Sequence, residues 1–237
     1  MKPEELLSEI QAYCREHAHA ENVKKYSRYF REGYDAYGLT QDELYSKRDE
    51  ILARPGITFD LLVQTSYLLL QKPKYEETSF AIVLLRSFQG SLTRDSFRLI
   101  EKWFHLGIRN WAHTDVICGE LLSPMLMKEI ITLADLESWR EAVNKFQRRA
   151  VPVSLIKLLK QTKDFGPFYR MIEPMMMDTE REVHQGIGWF LREAWKLKKK
   201  ETEDLLLRWK DKAPRLIFQY ACEKMSAEEK LRFRKSR

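Results

Sequence analysis

Apolar residues recur at intervals of three and four along nearly the whole of this 237-residue chain, and nowhere do they alternate in the manner of a strand. With only 9 glycines to interrupt it, that pattern restricts the fold to helices. The spacing predicts helices over about 3–18, 22–32, 41–53, 58–71, 75–89, 94–106, 111–121, 124–134, 136–143, 145–160, 165–176, 180–199, 202–211, 214–224 and 227–235. Thr93, Asp135, Asn144 and Thr179 are placed as N-caps, and Pro124 and Pro214 as first helical residues. The expected fold class is all-α. Short helices in steady succession without long linkers resemble an α-solenoid of HEAT-like repeats, a stack with an extended concave face, although no clean sequence period is present. The expectation is one domain over 1–237.

Charge and hydropathy narrow the function. No stretch approaches the roughly 18 to 20 apolar residues of a membrane helix, and MKPEELLSEI lacks the basic-then-apolar order of a signal peptide, so a cytoplasmic protein is expected. Cys14, Cys118 and Cys222 are far apart with no CxxC pair, which indicates neither a disulfide framework nor a zinc ribbon. Residues 192–237 hold 15 Lys and Arg against 8 Asp and Glu, net +7, while the preceding 191 residues are net −1. Such an asymmetry fits a polyanion, nucleic acid above all, since Lys and Arg that neutralise phosphates release counterions. For KLKKKE, Lys196–Glu201, a solvated helix end is the simpler reading, because cations suit the helix C-terminus.

Three segments break the core pattern. In NWAHTDVICGELL, Trp111 and Asp115 are four residues apart and share one helical face, an aromatic wall beside a carboxylate that suits a cationic ligand. In EREVHQGIGWFLREAW, the stripe Val183, Ile187, Phe190, Leu191 and Ala194 accounts for the core. Trp189 points away from it, beside Gln185 and Arg192. Gly186 and Gly188 each cost about 1 kcal/mol of helix propensity, so something approaches that backbone closely, either a neighbouring helix or a ligand. In NKFQRRAVPVSLIKLL, Arg149 falls outside the stripe of Val151, Leu155, Leu158 and Leu159, free to reach a ligand, with Arg148 nearer its edge. Two arginines in the first turns of a helix oppose its dipole and point to a nearby anion. Pro152 is expected to kink this helix or mark a repeat boundary.

NWAHTD, QRRAV and IGWFLRE, in this order and at these separations, together with YSRYFREGYDAYGLTQDEL, resemble the AlkD-like DNA alkylation repair glycosylases over about residues 22–200. The resemblance implies a HEAT-like solenoid whose concave face grips duplex DNA and releases cationic alkylated purines, N3-methyladenine and N7-methylguanine, in base excision repair. Asp115 would stabilise the oxocarbenium-like transition state and orient or activate water, and Trp111 and Trp189 would flank the deoxyribose. Arg149 would hold a phosphate. Arg148, Gln185 and Arg192 are the further expected DNA contacts. No base extrusion is implied, and so no deep base pocket. The expected protein is a monomer on duplex DNA, nucleoid-associated when bound, without cofactor or metal. His113 lacks a partner at metal-ligand spacing and is expected to be structural or on the DNA face. The alternative is a non-catalytic helical-repeat module that binds distorted or branched DNA. A third reading, a protein-binding solenoid, makes the matches coincidental. No lysine stands out as a Schiff-base nucleophile, and Walker, GxSxG, HExxH and zinc-deaminase patterns are missing from the sequence.

Overall fold

The computed structural model describes residues 1–71 and 73–236. Among these residues there is no strand, as the periodicity predicts. They gather into two compact units, Met1–Val116 and Ile117–Arg237.

The first unit contains α1 (Pro3–Glu16), α2 (Ala20–Ser27), α3 (Gln41–Leu52), α4 (Phe59–Leu69), α5 (Tyr75–Arg86), α6 (Arg94–Leu106) and the start of α7 (Trp111–Ile117). Helix α1 buries Leu6, Ile10 and Cys14, one residue per turn, and packs on α4 and α5. Thr40 caps α3 by accepting from Glu43 N, while the Glu43 carboxylate reaches back to Thr40 N at 2.8 Å. Arg54 donates to both oxygens of Glu9 at 2.7 Å, and Lys47 reaches the same carboxylate. The guanidinium of Arg54 holds the Glu9 carboxyl down to about 2.

The stretch between α2 and α3 departs from the sequence reading. Helix α2 stops at Ser27 rather than at 32, and Tyr29 N and Phe30 N close short turns onto Tyr26 O and Ser27 O. Gly33 and Gly38 then take φ of +99° and +88°. At Gly38 a Cβ would stand 2.3 Å from His19 O, so only glycine fits. The far end of the stretch is tied to the first turn of α5. The buried Glu76 carboxylate accepts from Tyr37 N, Gly38 N and Leu39 N at 2.8, 2.7 and 3.2 Å.

The second unit contains α8 (Ser123–Met127), α9 (Lys145–Leu155), α10 (Gly166–Ile172), α11 (Arg181–Leu197), α12 (Lys199–Trp209), α13 (Arg215–Ala221) and α14 (Ala227–Leu231). Helix α11 is its axis and packs on α9, α12 and α13. The predicted stripe of Val183, Ile187, Phe190, Leu191 and Ala194 is fully buried. Gly186 and Gly188 mark close approach by neighbouring helices. A Cβ at Gly186 would lie 3.2 Å from Arg149 Cγ of α9, and one at Gly188 only 2.5 Å from Tyr220 Cβ and 2.7 Å from Ile217 O of α13. Gly188→Ala is therefore expected to destabilise the fold by about 1 to 3 kcal/mol through overpacking, outweighing the roughly 1 kcal/mol that alanine adds in helix propensity. Urea unfolding measures the difference, and an alanine variant as stable as wild type would refute the rigid contact.

Other boundaries shifted for local reasons. Where a helix over 136–143 is expected, the chain makes a 3-10 turn at Ser138–Glu141, just after another at Leu133–Leu136. Asp135 is not the N-cap of a helix there, because its Oδ2 already accepts from Thr132 N at 2.8 Å inside the first turn. Helix α11 is capped at Glu180, one residue after Thr179, and Pro214 is the cap residue of α13 rather than its first helical residue. Asn144 caps α9 as expected, accepting from Phe146 N at 2.8 Å, and Thr93 caps α6. Helix α9 continues through Pro152 for three residues before a 3-10 turn, Lys157–Lys160.

Candidate active site

Helix α7 begins at Trp111, and Asn110 closes its first turn by accepting from His113 N through Oδ1 at 2.8 Å. Trp111 is 37% exposed and Asp115, one turn on, is half-buried. The stretch then widens directly into a π-helical turn, Cys118–Leu122, a feature the sequence reading did not contain.

Between the two, His113 is buried. Because Asn110 Oδ1 takes the backbone N–H, its Nδ2 is the donor 2.8 Å from His113 Nδ1, which must then accept. The proton is assigned to Nε2, which lies 2.9 Å from Ser79 Oγ, itself donating to Tyr75 O. Burial pushes the imidazole down to about 3, so it is neutral at physiological pH. His113 is thus a structural group.

Trp111 also forms one wall of an open recess of about 750 Å³ in the first unit. Its aromatic lining includes Tyr26, Tyr29, Phe30, Tyr34 and Tyr75. The sequence reading passed over these rings, although YSRYFREGYDAYGL signals them by the density of aromatics around glycines.

In the second unit, Arg149 is only 5% exposed, and the expectation of a freely reaching side chain is corrected. Its stem lies against Gly186, where the missing side chain leaves room, and Nη1 donates to Glu182 O at 2.7 Å. Trp189 is half-buried. Arg148 holds Asp178 with Nε and Nη2 at 2.6 and 3.2 Å and donates Nη1 to Ala142 O. Gln185 donates to the Tyr220 hydroxyl at 2.7 Å, and Arg192 pairs with Glu193 and Glu223. Each of these expected DNA contacts already has a protein partner.

Several cations of the basic C-terminal fifth are likewise paired. Lys199 meets Glu229, Lys200 meets Asp204, Arg208 meets Glu173 and Arg232 meets Glu203. Among the described residues no cluster of three or more His, Cys, Asp or Glu could hold a metal ion. Nor is any helix long and apolar enough to cross a membrane.

A succession of short helices with no strand among the described residues, with an aromatic and an acid on one of them, defines an all-α helical-repeat type of protein. The family model for DNA alkylation repair enzymes matches residues 10–225, and the chain belongs to that family. A solved structure from Enterococcus faecalis, described as a predicted DNA alkylation repair enzyme, is similar in fold, with a TM-score of 0.74 and 16% identity. The similarity covers 89% of this chain and 98% of that one. No protein of curated function matches the sequence.

Proposed function

We propose that this protein is a monofunctional DNA glycosylase that hydrolyses the N-glycosidic bond of cationic alkylated purines, N3-methyladenine and N7-methylguanine, in duplex DNA. The observation that carries the reading is the pairing on α7 of a partly exposed Trp111 with Asp115 one turn away, inside the region that matches the alkylation repair family. An alkylated purine is a cation and leaves as a neutral base. Its glycosidic electron pair departs with the purine while a water oxygen bonds to the sugar carbon and loses a proton, leaving an abasic site. Positive charge builds on the sugar in that step, and a carboxylate positioned beforehand stabilises it at little reorganisation cost.

In this reading Asp115 supplies the negative charge and orients the water. Trp111 offers an electron-rich face to the sugar, an attraction of about 0.5 to 2 kcal/mol, and Trp189 of the second unit is assigned a face of the same kind for DNA. Arg149 contacts a phosphate by exchanging its present partners, the Glu182 carbonyl among them, for it. Arg148, Gln185 and Arg192 contribute to DNA binding by exchanging their present partners for phosphate. In this reading the protein acts on DNA as a monomer without a cofactor.

The test is single-turnover release of N7-methylguanine from a defined duplex. Wild type is expected to release the base well above the spontaneous rate, and Asp115→Asn to lower that rate by about 100-fold or more with DNA affinity retained. Loss of affinity in the variant would refute the role given to Asp115. A wild type that binds the duplex but releases neither N7-methylguanine nor N3-methyladenine would be a non-catalytic DNA-binding module.

A further inference from the structure

The indole of Trp111 is held from two directions. Its single N–H donates to Tyr29 O at 3.2 Å, and its ring stacks on Phe30 with centroids 5.8 Å apart and planes 14° from parallel. Phe30 stacks in turn on Tyr34 at 4.7 Å and 8°, and meets the Tyr75 edge at 5.4 Å. Tyr75 stacks on His113 at 4.2 Å, and His113 belongs to α7, as Trp111 does. The path of ring contacts leaves α7 at Trp111 and returns to it two residues later, a closed circuit. Both ends of the segment that carries Phe30 are fixed: Tyr29 and Phe30 by turns onto α2, and residues 37–39 by Glu76.

We propose that this circuit is a positioning device for Trp111, with Phe30 as the positioning residue and the Tyr29 carbonyl as the stop that sets the indole's rotation. The inference rests on the reading of Trp111 as a wall of the lesion site. A partly exposed tryptophan on the first residue of a helix has several rotamers open to it, and most turn its face away from any given ligand. The carbonyl fixes the indole edge, the Phe30 ring fixes its plane, and the remaining face is left for the sugar. Tyr75 and the neutral His113 do the same for Phe30 from behind. A lesion site needs that order in advance, since a misplacement of about 1 Å can slow a positioned reaction by about 100-fold.

A double-mutant cycle and one spectroscopic signature test the device. Phe30→Leu keeps the apolar bulk and removes the flat ring; it is expected to slow single-turnover base release by about tenfold, while Phe30→Tyr keeps the wild-type rate. In a Trp111→Ala background, Phe30→Leu is expected to cause no further loss. Full additivity there would overturn the proposal, because Phe30 would then act independently of Trp111. The indole N–H of Trp111, assigned as the nitrogen-15 resonance missing from Trp111→Phe, is expected to shift and to exchange faster with water in Phe30→Leu, and to be unchanged in Phe30→Tyr. An indole resonance that ignores Phe30→Leu would overturn the proposal. If wild type releases no base, the glycosylase reading fails while the indole signal still decides whether the circuit orients Trp111.

Discussion

Glu76→Ala is expected to lower the free energy of unfolding by about 3 to 5 kcal/mol, because it strips the partner from three backbone N–H groups at once. The Glu76 carboxylate is 2% exposed and accepts from Tyr37, Gly38 and Leu39. Each N–H left unsatisfied costs about 1 to 3 kcal/mol where water cannot reach it, and the partial exposure of Tyr37 and Leu39 keeps the sum at the lower end. Glu76→Gln is expected to remain destabilising, since an amide presents a donor to one of the three donors. Urea unfolding followed by circular dichroism measures both. A loss below about 1 kcal/mol for the alanine variant would mean that the segment before α3 is held by its rings alone. The variant should also release base more slowly than wild type, because the segment it frees carries Phe30.

Acid sensitivity centred on His113 is the second large effect. Its folded value of about 3 lies below the ordinary 6.5, so between those limits the unfolded chain takes up a proton that the native imidazole refuses. The stability it confers is complete above pH 6.5 and is lost as pH falls from there toward 3. At roughly 1.4 kcal/mol per pH unit, the loss reaches on the order of 3 to 5 kcal/mol at the bottom of the window. The carboxyls of Glu9 and Glu43, both held down to about 2, lose their contribution only below about pH 4.5, so the upper part of the window isolates the histidine. Thermal midpoints at pH 7.5, 6.5 and 5.5 are expected to fall in wild type and to be flatter in His113→Gln. Parallel pH profiles for the two proteins would show that another group carries the effect.

The helices were legible because the apolar spacing of three and four depends on the chain alone. The α11 stripe and the Asn144 cap of α9 needed only residues close in sequence. What was not legible depended on partners far away. YSRYF continues the helical pattern, yet α2 stops at Ser27 because the rings after it are engaged by α5 and α7. A helical wheel places Arg149 outside its own helix's stripe, but the gap left by Gly186 on another helix gives it a buried seat. The glycine pair announced a close approach correctly, while its cause, α9 and α13, lay beyond the sequence. Trp111 and Asp115 were recognisable by spacing, and the ring circuit that holds Trp111 was not.

The bond from Gly38 to Glu76 joins residues 38 apart in sequence, and this separation sets an order of events on the ribosome. At about 5 to 20 residues per second, the aromatic run emerges roughly 2 to 8 s before the side chain that anchors it. Until α5 follows, Tyr29, Phe30 and Tyr34 have neither Glu76 nor Tyr75 to pack against. The wall beside Trp111 therefore consolidates only after α5 has been made, and until then its rings stay within reach of a chaperone.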